Sequence, residues 1–196
     1  MKKYLLPSLR LTLVLLILLC VIYPLFIMLV GKITPGGGDG VKVYRNGKVV
    51  GYENIAQSFK SDKYFQPRPS AVGYNAAGSG ASNSGPTNPD YLKRVRAAID
   101  TFMVHNPGVN KADIPAELVT ASGSGLDPNL SPEGAKIQAK RIARLRNIPE
   151  QDLIKLVDGH TEKPLLGIFG PSKVNVLKLN IELDDLLSNA KPQTIN

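Results

Sequence analysis

Between Thr120 and Pro132 the chain reads TASGSGLDPNLSP, which puts two hydroxyls, Ser122 and Ser124, close to the carboxylate of Asp127, and a histidine follows at His160. A serine nucleophile, an imidazole base and an acid to orient it are the parts an acyl-transfer site needs. Ser124, His160 and Asp127 are therefore the set that a hydrolase built on this chain would use. Neither serine has glycine at both second neighbours, so the G-x-S-x-G elbow is not present. Gly, Ser and Asp-Pro are also the ordinary residues of turns, and a turn is the plainer expectation. The glycine-rich run GSGASNSGPTNP lacks the G-K-[ST] ending of a phosphate-binding loop. His105 and His160 lie far apart and no cluster has metal-ligand spacing, so no transition-metal site is expected.

These residues follow a segment that bounds what the protein can be. From Leu11 to Gly31 the chain carries 21 residues without a charge, and at about 1.5 Å per helical residue that length matches the hydrocarbon core of a bilayer. A transmembrane helix is expected over 11–31, with Pro24 in its second half. The run is too long for a cleaved signal peptide and lacks its small-residue site. The lone Cys20 follows Ile17, Leu18 and Leu19, where lipidation calls for a small residue, so it reads as a small apolar membrane residue. With one cysteine no intrachain disulfide can form. Lys2, Lys3 and Arg10 crowd the flank 1–10, which places the N-terminus in the cytoplasm. A spacer over 32–40 then leads to a single soluble domain, 41–196, outside the membrane.

The net charge of +8 includes the three flank cations; beyond them stand 21 basic and 16 acidic side chains. That moderate excess suits an anionic lipid surface or an acidic partner. It lacks the interleaved aromatic and basic residues of a nucleic-acid platform, so no nucleic-acid partner is expected.

The domain reads as α+β. Asn46-Gly47 between two β-branched runs predicts a hairpin with a type I′ turn. From Gln57 to Pro89 the chain is too rich in Gly, Ser, Asn and Pro for regular structure, yet Phe59, Tyr64, Phe65 and Tyr74 favour an ordered loop pinned by its rings. Asn88-Pro89 predicts a helix start, with Leu92, Val95, Ile99 and Phe102 on one face. Ser131-Pro132 predicts a second helix, in which Ala135, Ala139, Ile142 and Leu145 oppose the basic row Lys136, Lys140 and Arg144. Gln138 falls on the apolar face, where its amide needs partners: backbone in the loop before the helix, a ligand or a partner subunit. A third helix is expected near Pro149 to Asp158. Finally, Leu177, Leu179, Ile181 and Leu183 alternate with polar residues, which predicts a C-terminal strand able to pair with the hairpin.

Four strings, YFQPRPSAVGYN, SGASNSGPTNP, DIPAELVTASGSGLDPNLSPEGAKIQAKRIA and HTEKPLLGIFGPSKVNVLKLNIELD, resemble in the same order the KdpC family, the C subunits of Kdp potassium-transporting ATPases. The resemblance covers the N-terminal span and most of Val41 to Asp185. Ala81, Ser84 and Pro171 depart from the pattern expected of the family.

The resemblance implies an accessory, non-catalytic subunit in a bacterial or archaeal cell membrane. Its partners would be a channel-like A subunit, a P-type ATPase B subunit and a very small F subunit. The absence of the DKTG phosphorylation motif agrees with that role. It also implies a catalytic-chaperone effect, raising the B subunit's ATP affinity through a ternary complex, with no tightly bound cofactor of its own. A direct form of that effect would place nucleotide near Ser131, Lys136, Gln138 and Lys140. The preferred form is an outer domain that steadies the A subunit through Tyr64, Phe65, Arg68, Asn75, Asn83, Ser122, Ser124 and Asp127, which combine aromatic anchors with polar groups on constrained loops.

Overall fold

The computed structural model describes residues 2–190; residue 1 and residues 191–196, the last of the expected 41–196 domain, lie outside the described residues. The chain forms two compact units, Met1–Lys42 and Val43–Asn196.

The first unit is helical: α1 spans Lys2–Ile17, a π turn spans Leu18–Ile22, and α2 spans Tyr23–Ile33. The π turn answers to Pro24. A proline ring clashes with the carbonyl four residues back and has no N–H to give it. One wider turn before the ring, closed by Tyr23 N–H to the Leu18 carbonyl, lets the helix run on. Thr34 ends it by donating both its N–H and its hydroxyl to the Gly31 carbonyl, at 3.2 and 2.6 Å. The stretch Lys3–Ile33 is 31 residues long and apolar enough to cross a membrane.

The second unit has the α+β character its sequence predicts. Strands β1 (Lys42–Arg45) and β2 (Lys48–Tyr52) form the expected hairpin, and Asn46 and Gly47 have φ of 51° and 74°, as a type I′ turn demands. Residues 53–88 contain neither helix nor strand and run as a long strap to α3 (Pro89–His105). The Asn88 side chain caps α3 by accepting from the Asp90 and Tyr91 amides. Strand β3 (Asn129–Leu130), α4 (Pro132–Lys136), α5 (Ala139–Arg146), α6 (Glu150–Gly159), β4 (Thr161–Glu162), β5 (Lys173–Asn175) and α7 (Val176–Ala190) complete it.

The expected C-terminal strand is a helix. Residues 177–184 belong to α7, and β5 stops at Asn175, whose side chain accepts from the Lys178 amide at 3.1 Å as an N-cap. The alternation of Leu177, Leu179, Ile181 and Leu183 coexists with a helical spacing, Val176, Leu179, Asn180 and Leu183; this second set is buried throughout, whereas Ile181 of the first is only half-buried. The hairpin accordingly does not pair with it. β5 instead sits between β3 and β4 in a separate antiparallel sheet, with Leu130 and Thr161 both opposite Val174. The helix expected from Ser131 is divided into α4 and α5 at Ile137 and Gln138. Leu145, expected on its apolar face, is exposed, whereas Ala135, Ala139 and Ile142 are buried as the spacing predicts. The core gathers Phe65, Leu130, Ile142, Leu153, Val157, Val174, Leu179 and Leu183.

Candidate functional site

The strap has few apolar side chains to bury, and its peptide groups would be left unpaired against the core. Polar side chains from the helices solve this. Asn180 of α7 accepts from the Phe65 amide and donates to the Phe65 carbonyl, both at 2.9 Å. Gln138 does the same for the next residue, accepting from the Gln66 amide at 2.8 Å and donating to the Gln66 carbonyl at 3.1 Å. Two side-chain amides thus stand where a neighbouring strand would be. Between them Phe65 is wholly buried.

Arg141 of α5, 3% exposed, extends the row. Its guanidinium donates to the carbonyls of Asp62 and Tyr64, to Gln138 Oε1 and to Asn106 Oδ1. Burial lowers its pKa and the nearby Asp62 charge opposes that, but a guanidinium keeps its proton in either case. Arg146 lies 4.4 Å from the Tyr64 ring and donates to the Lys63 carbonyl at 2.6 Å and to Asp184 at 2.7 Å. Asp184 also accepts from Arg45 at 2.8 Å and from the Tyr64 hydroxyl at 3.1 Å. Burial alone would raise the pKa of Asp184; the bonds from Arg45, Arg146 and Tyr64 outweigh it and hold the carboxyl below its ordinary value.

Farther along, the strap lies on the turn 122–127. Arg68 pairs with Asp127 at 3.0 Å, Ser70 Oγ donates to the Gly125 carbonyl at 2.6 Å, and the Gly80 amide donates to the Ser124 carbonyl at 2.8 Å. Gly125 has φ +67°, and a Cβ there would meet the Gly80 carbonyl oxygen at 2.7 Å, so this crossing requires glycine. The Tyr74 hydroxyl donates to the Arg68 carbonyl at 2.8 Å, and burial raises its pKa. Beside the crossing a cleft of about 410 Å³ opens between strap and α3, lined by Ser70, Ser82, Tyr91, Arg94, Val95 and Thr120 among others.

The residues expected to meet a partner therefore divide. Arg68, Ser122, Ser124 and Asp127 come together at the crossing, while Asn75 and Asn83 are exposed on the strap beyond it. Phe65 and Ser122 are buried and offer no surface, and Tyr64 is committed to Asp184 and Arg146. Arg68, expected on the partner-facing surface, is paired within the molecule with Asp127.

Three of the four residues considered for nucleotide are also occupied. Ser131 caps α4 through the Gly134 amide and donates to Glu117 at 2.6 Å. Lys136 pairs with Asp158 at 2.6 Å, Gln138 is wholly buried, and Lys140 is exposed. Among the described residues no hydrogen bond joins His160 to Ser124 or Asp127. His160 Nδ1 lies 3.0 Å from the Leu156 carbonyl, Ser124 Oγ accepts from the Leu126 amide, and Asp127 holds Arg68 and the Asn129 amide.

Asn180, Arg141, Arg146 and Asp184 were not legible as site residues. The signal for Asn180 was its place on the buried spacing of α7; for Arg141 it was a cation at a core position, three residues from Gln138 on the same face.

Fold and site together define a helix long and apolar enough to cross a membrane and a small α+β domain in which polar side chains turned inward hold a strap. The family described as KdpC: K+-transporting ATPase, c chain, matches residues 5–185. A potassium-transporting ATPase KdpC subunit of Flavobacterium johnsoniae is 52% identical over 184 residues, covering 94% of this chain and 99% of the relative. Those of Bacteroides fragilis strain YCH46 and Bacillus cereus strain Q1 are 49% and 41% identical, over 94% and 92% of this chain and 98% and 95% of the relatives. The chain belongs to the KdpC family.

Proposed function

We propose that the chain is a non-catalytic accessory subunit of an ATP-driven, P-type potassium-uptake complex. It is held in the cell membrane of a bacterium by the helix Lys3–Ile33, with the N-terminus in the cytoplasm and the soluble domain outside. The observation that carries this reading is the family match, which runs through both the helix and the soluble domain. Lys2, Lys3 and Arg10 on the N-terminal flank support the orientation. Its partners in this reading are the channel-like A, ATP-hydrolysing B and small F subunits. The docking surface is the crossing of strap and turn, with Arg68, Asn75, Asn83, Ser124 and Asp127 at or near its rim. Any rise in the ATP affinity of the B subunit is then indirect, a reading supported by the burial of Gln138 and the pairing of Lys136 with Asp158.

The test is expression of the tagged chain with the other subunits in cells lacking their own copies. The tagged chain is expected to bring the A, B and F subunits with it, and its deletion to abolish growth at limiting potassium. A chain that purifies alone, and whose deletion leaves uptake unchanged, contradicts the reading. In the assembled pump, Gln138→Ala should leave the ATP dependence unchanged; a raised ATP requirement would return the nucleotide to Gln138.

A further inference from the structure

Between β4 and β5 the chain turns through a second hairpin whose tip is apolar. Leu165 and Phe169 form an antiparallel bridge, each amide donating to the other's carbonyl at 3.0 Å, and Leu166, Gly167 and Ile168 close the turn. Leu165, Leu166, Ile168 and Phe169 are 70, 81, 75 and 60% exposed. Scattered apolar side chains on a surface need no explanation, but four large ones at one projecting tip do.

The backbone adds an independent observation. Leu166 has φ +55° and Gly167 φ +78°, a left-handed pair that ordinarily takes asparagine or glycine. A leucine there strains its backbone, and with its side chain exposed no packing among the described residues offsets the strain. Its side chain therefore acts on something outside the molecule.

The surroundings select what that is. Residues 164–170 are Pro, Leu, Leu, Gly, Ile, Phe and Gly, so the tip has no polar side chain to fix an orientation. A protein interface is normally threaded with directed hydrogen bonds, whereas hydrocarbon requires none. Lys163 stands beside the tip just after β4 and Lys173, paired with Glu162 at 3.3 Å, at the start of β5, and long cationic stems suit a layer with hydrocarbon below and phosphate above. Finally, α2 ends at Ile33 and the second unit begins at Val43. That linker spans at most about 36 Å when fully extended, so a bilayer stays close to the domain whichever way the units turn.

We infer that the 165–169 hairpin is a membrane-contacting tip. It inserts Leu165, Leu166, Ile168 and Phe169 into the interfacial layer of an anionic bilayer, with Lys163 at headgroup level. This rests on the membrane anchor of the proposed function and adds a second lipid contact to it.

The chain has no tryptophan, so Ile168→Trp places a single reporter at the tip. The full-length variant is reconstituted into phosphatidylcholine–phosphatidylglycerol vesicles with plain or brominated acyl chains, and the same sample is floated on a density gradient. Val104→Trp, at a position 78% exposed on α3, is the comparison. The expected result is blue-shifted emission from Ile168→Trp, quenched at least twofold by brominated lipid, with Val104→Trp unquenched. Phe169→Trp should report the same, and adding Leu166→Asp to Ile168→Trp should abolish the quenching while the chain still floats. A floating chain whose tip reporter is quenched no more than Val104→Trp overturns the proposal. Shielding that arises only on co-expression with the other subunits, without quenching by lipid, assigns the tip to a protein and overturns it as well. A chain that does not float overturns the anchor, and this inference with it.

Discussion

Two segments of the soluble unit invert the usual distribution of polar and apolar groups, and they do so in opposite senses. At residues 62–66 the strap is held by buried Gln138, Asn180 and Arg141, polar side chains where a core would ordinarily be aliphatic. At residues 165–169 four large apolar side chains stand in water. In the first case every inversion is answered inside the molecule: each amide or guanidinium bonds a strap peptide group that would otherwise lie unpaired. In the second nothing among the described residues answers it, and even the backbone at Leu166 is strained to keep it. A buried polar group with all its partners is part of the fold, whereas an exposed apolar group in a strained turn points to a partner elsewhere.

If that contrast holds, substitutions in the two segments should move stability in opposite directions. The largest loss is expected from Arg141→Leu, which removes the donor to two strap carbonyls and to Gln138 and Asn106. Leaving such buried acceptors unpaired should cost about 3 kcal/mol or more, or a fall of about 6–12 °C in Tm for a domain of this size. Thermal unfolding of the full chain in detergent checks this. Gln138→Leu or Asn180→Leu leaves one strap residue's amide and carbonyl unpaired and should cost about 2 kcal/mol each. Proteolysis should then cut the strap near Phe65 in either variant, and an uncut strap would show that the rings suffice.

The Asp184 cluster sharpens the contrast through pH. Because the folded state holds this carboxyl below its ordinary value, its contribution is complete above about pH 4 and is lost as pH falls through the depressed folded pKa. Tm should drop on acidification below that point, and Asp184→Asn should be less stable at neutral pH with a flatter acid limb. An unchanged acid limb would remove Asp184 from the account. The smallest effect, with the opposite sign, is expected from Leu166→Asn. It relieves the left-handed leucine and should raise stability by up to about 1 kcal/mol; a clear loss of Tm would mean that the tip serves the fold.

Much of this architecture could be read from residue types with local physical meaning. Asn46-Gly47 specified its turn, Asn88-Pro89 and Ser131-Pro132 specified two helix starts, and the ring content of the strap signalled that it is ordered. The last element misled because residues 176–183 satisfy two periods at once, and the deciding residue was Asn175, whose side chain caps a helix. The strap's anchors were hidden for a different reason. Gln138 and Asn180 act on Phe65 and Gln66, more than seventy positions away in sequence, and a side chain that replaces a strand leaves no periodic signal. The same long-range pairing gave Arg68 its acid.

The claim on which the account most depends is that the soluble domain lies outside the cell, because that location keeps it away from nucleotide and beside the outer mouth of a potassium pathway. Val104→Cys in a Cys20→Ser background puts one thiol on an exposed face of α3. With the other subunits co-expressed, intact cells are treated with a membrane-impermeant maleimide, and lysed cells serve as the access control. With the domain outside, labelling in intact cells equals that after lysis. Labelling that appears only after lysis would place the domain in the cytoplasm and contradict that claim.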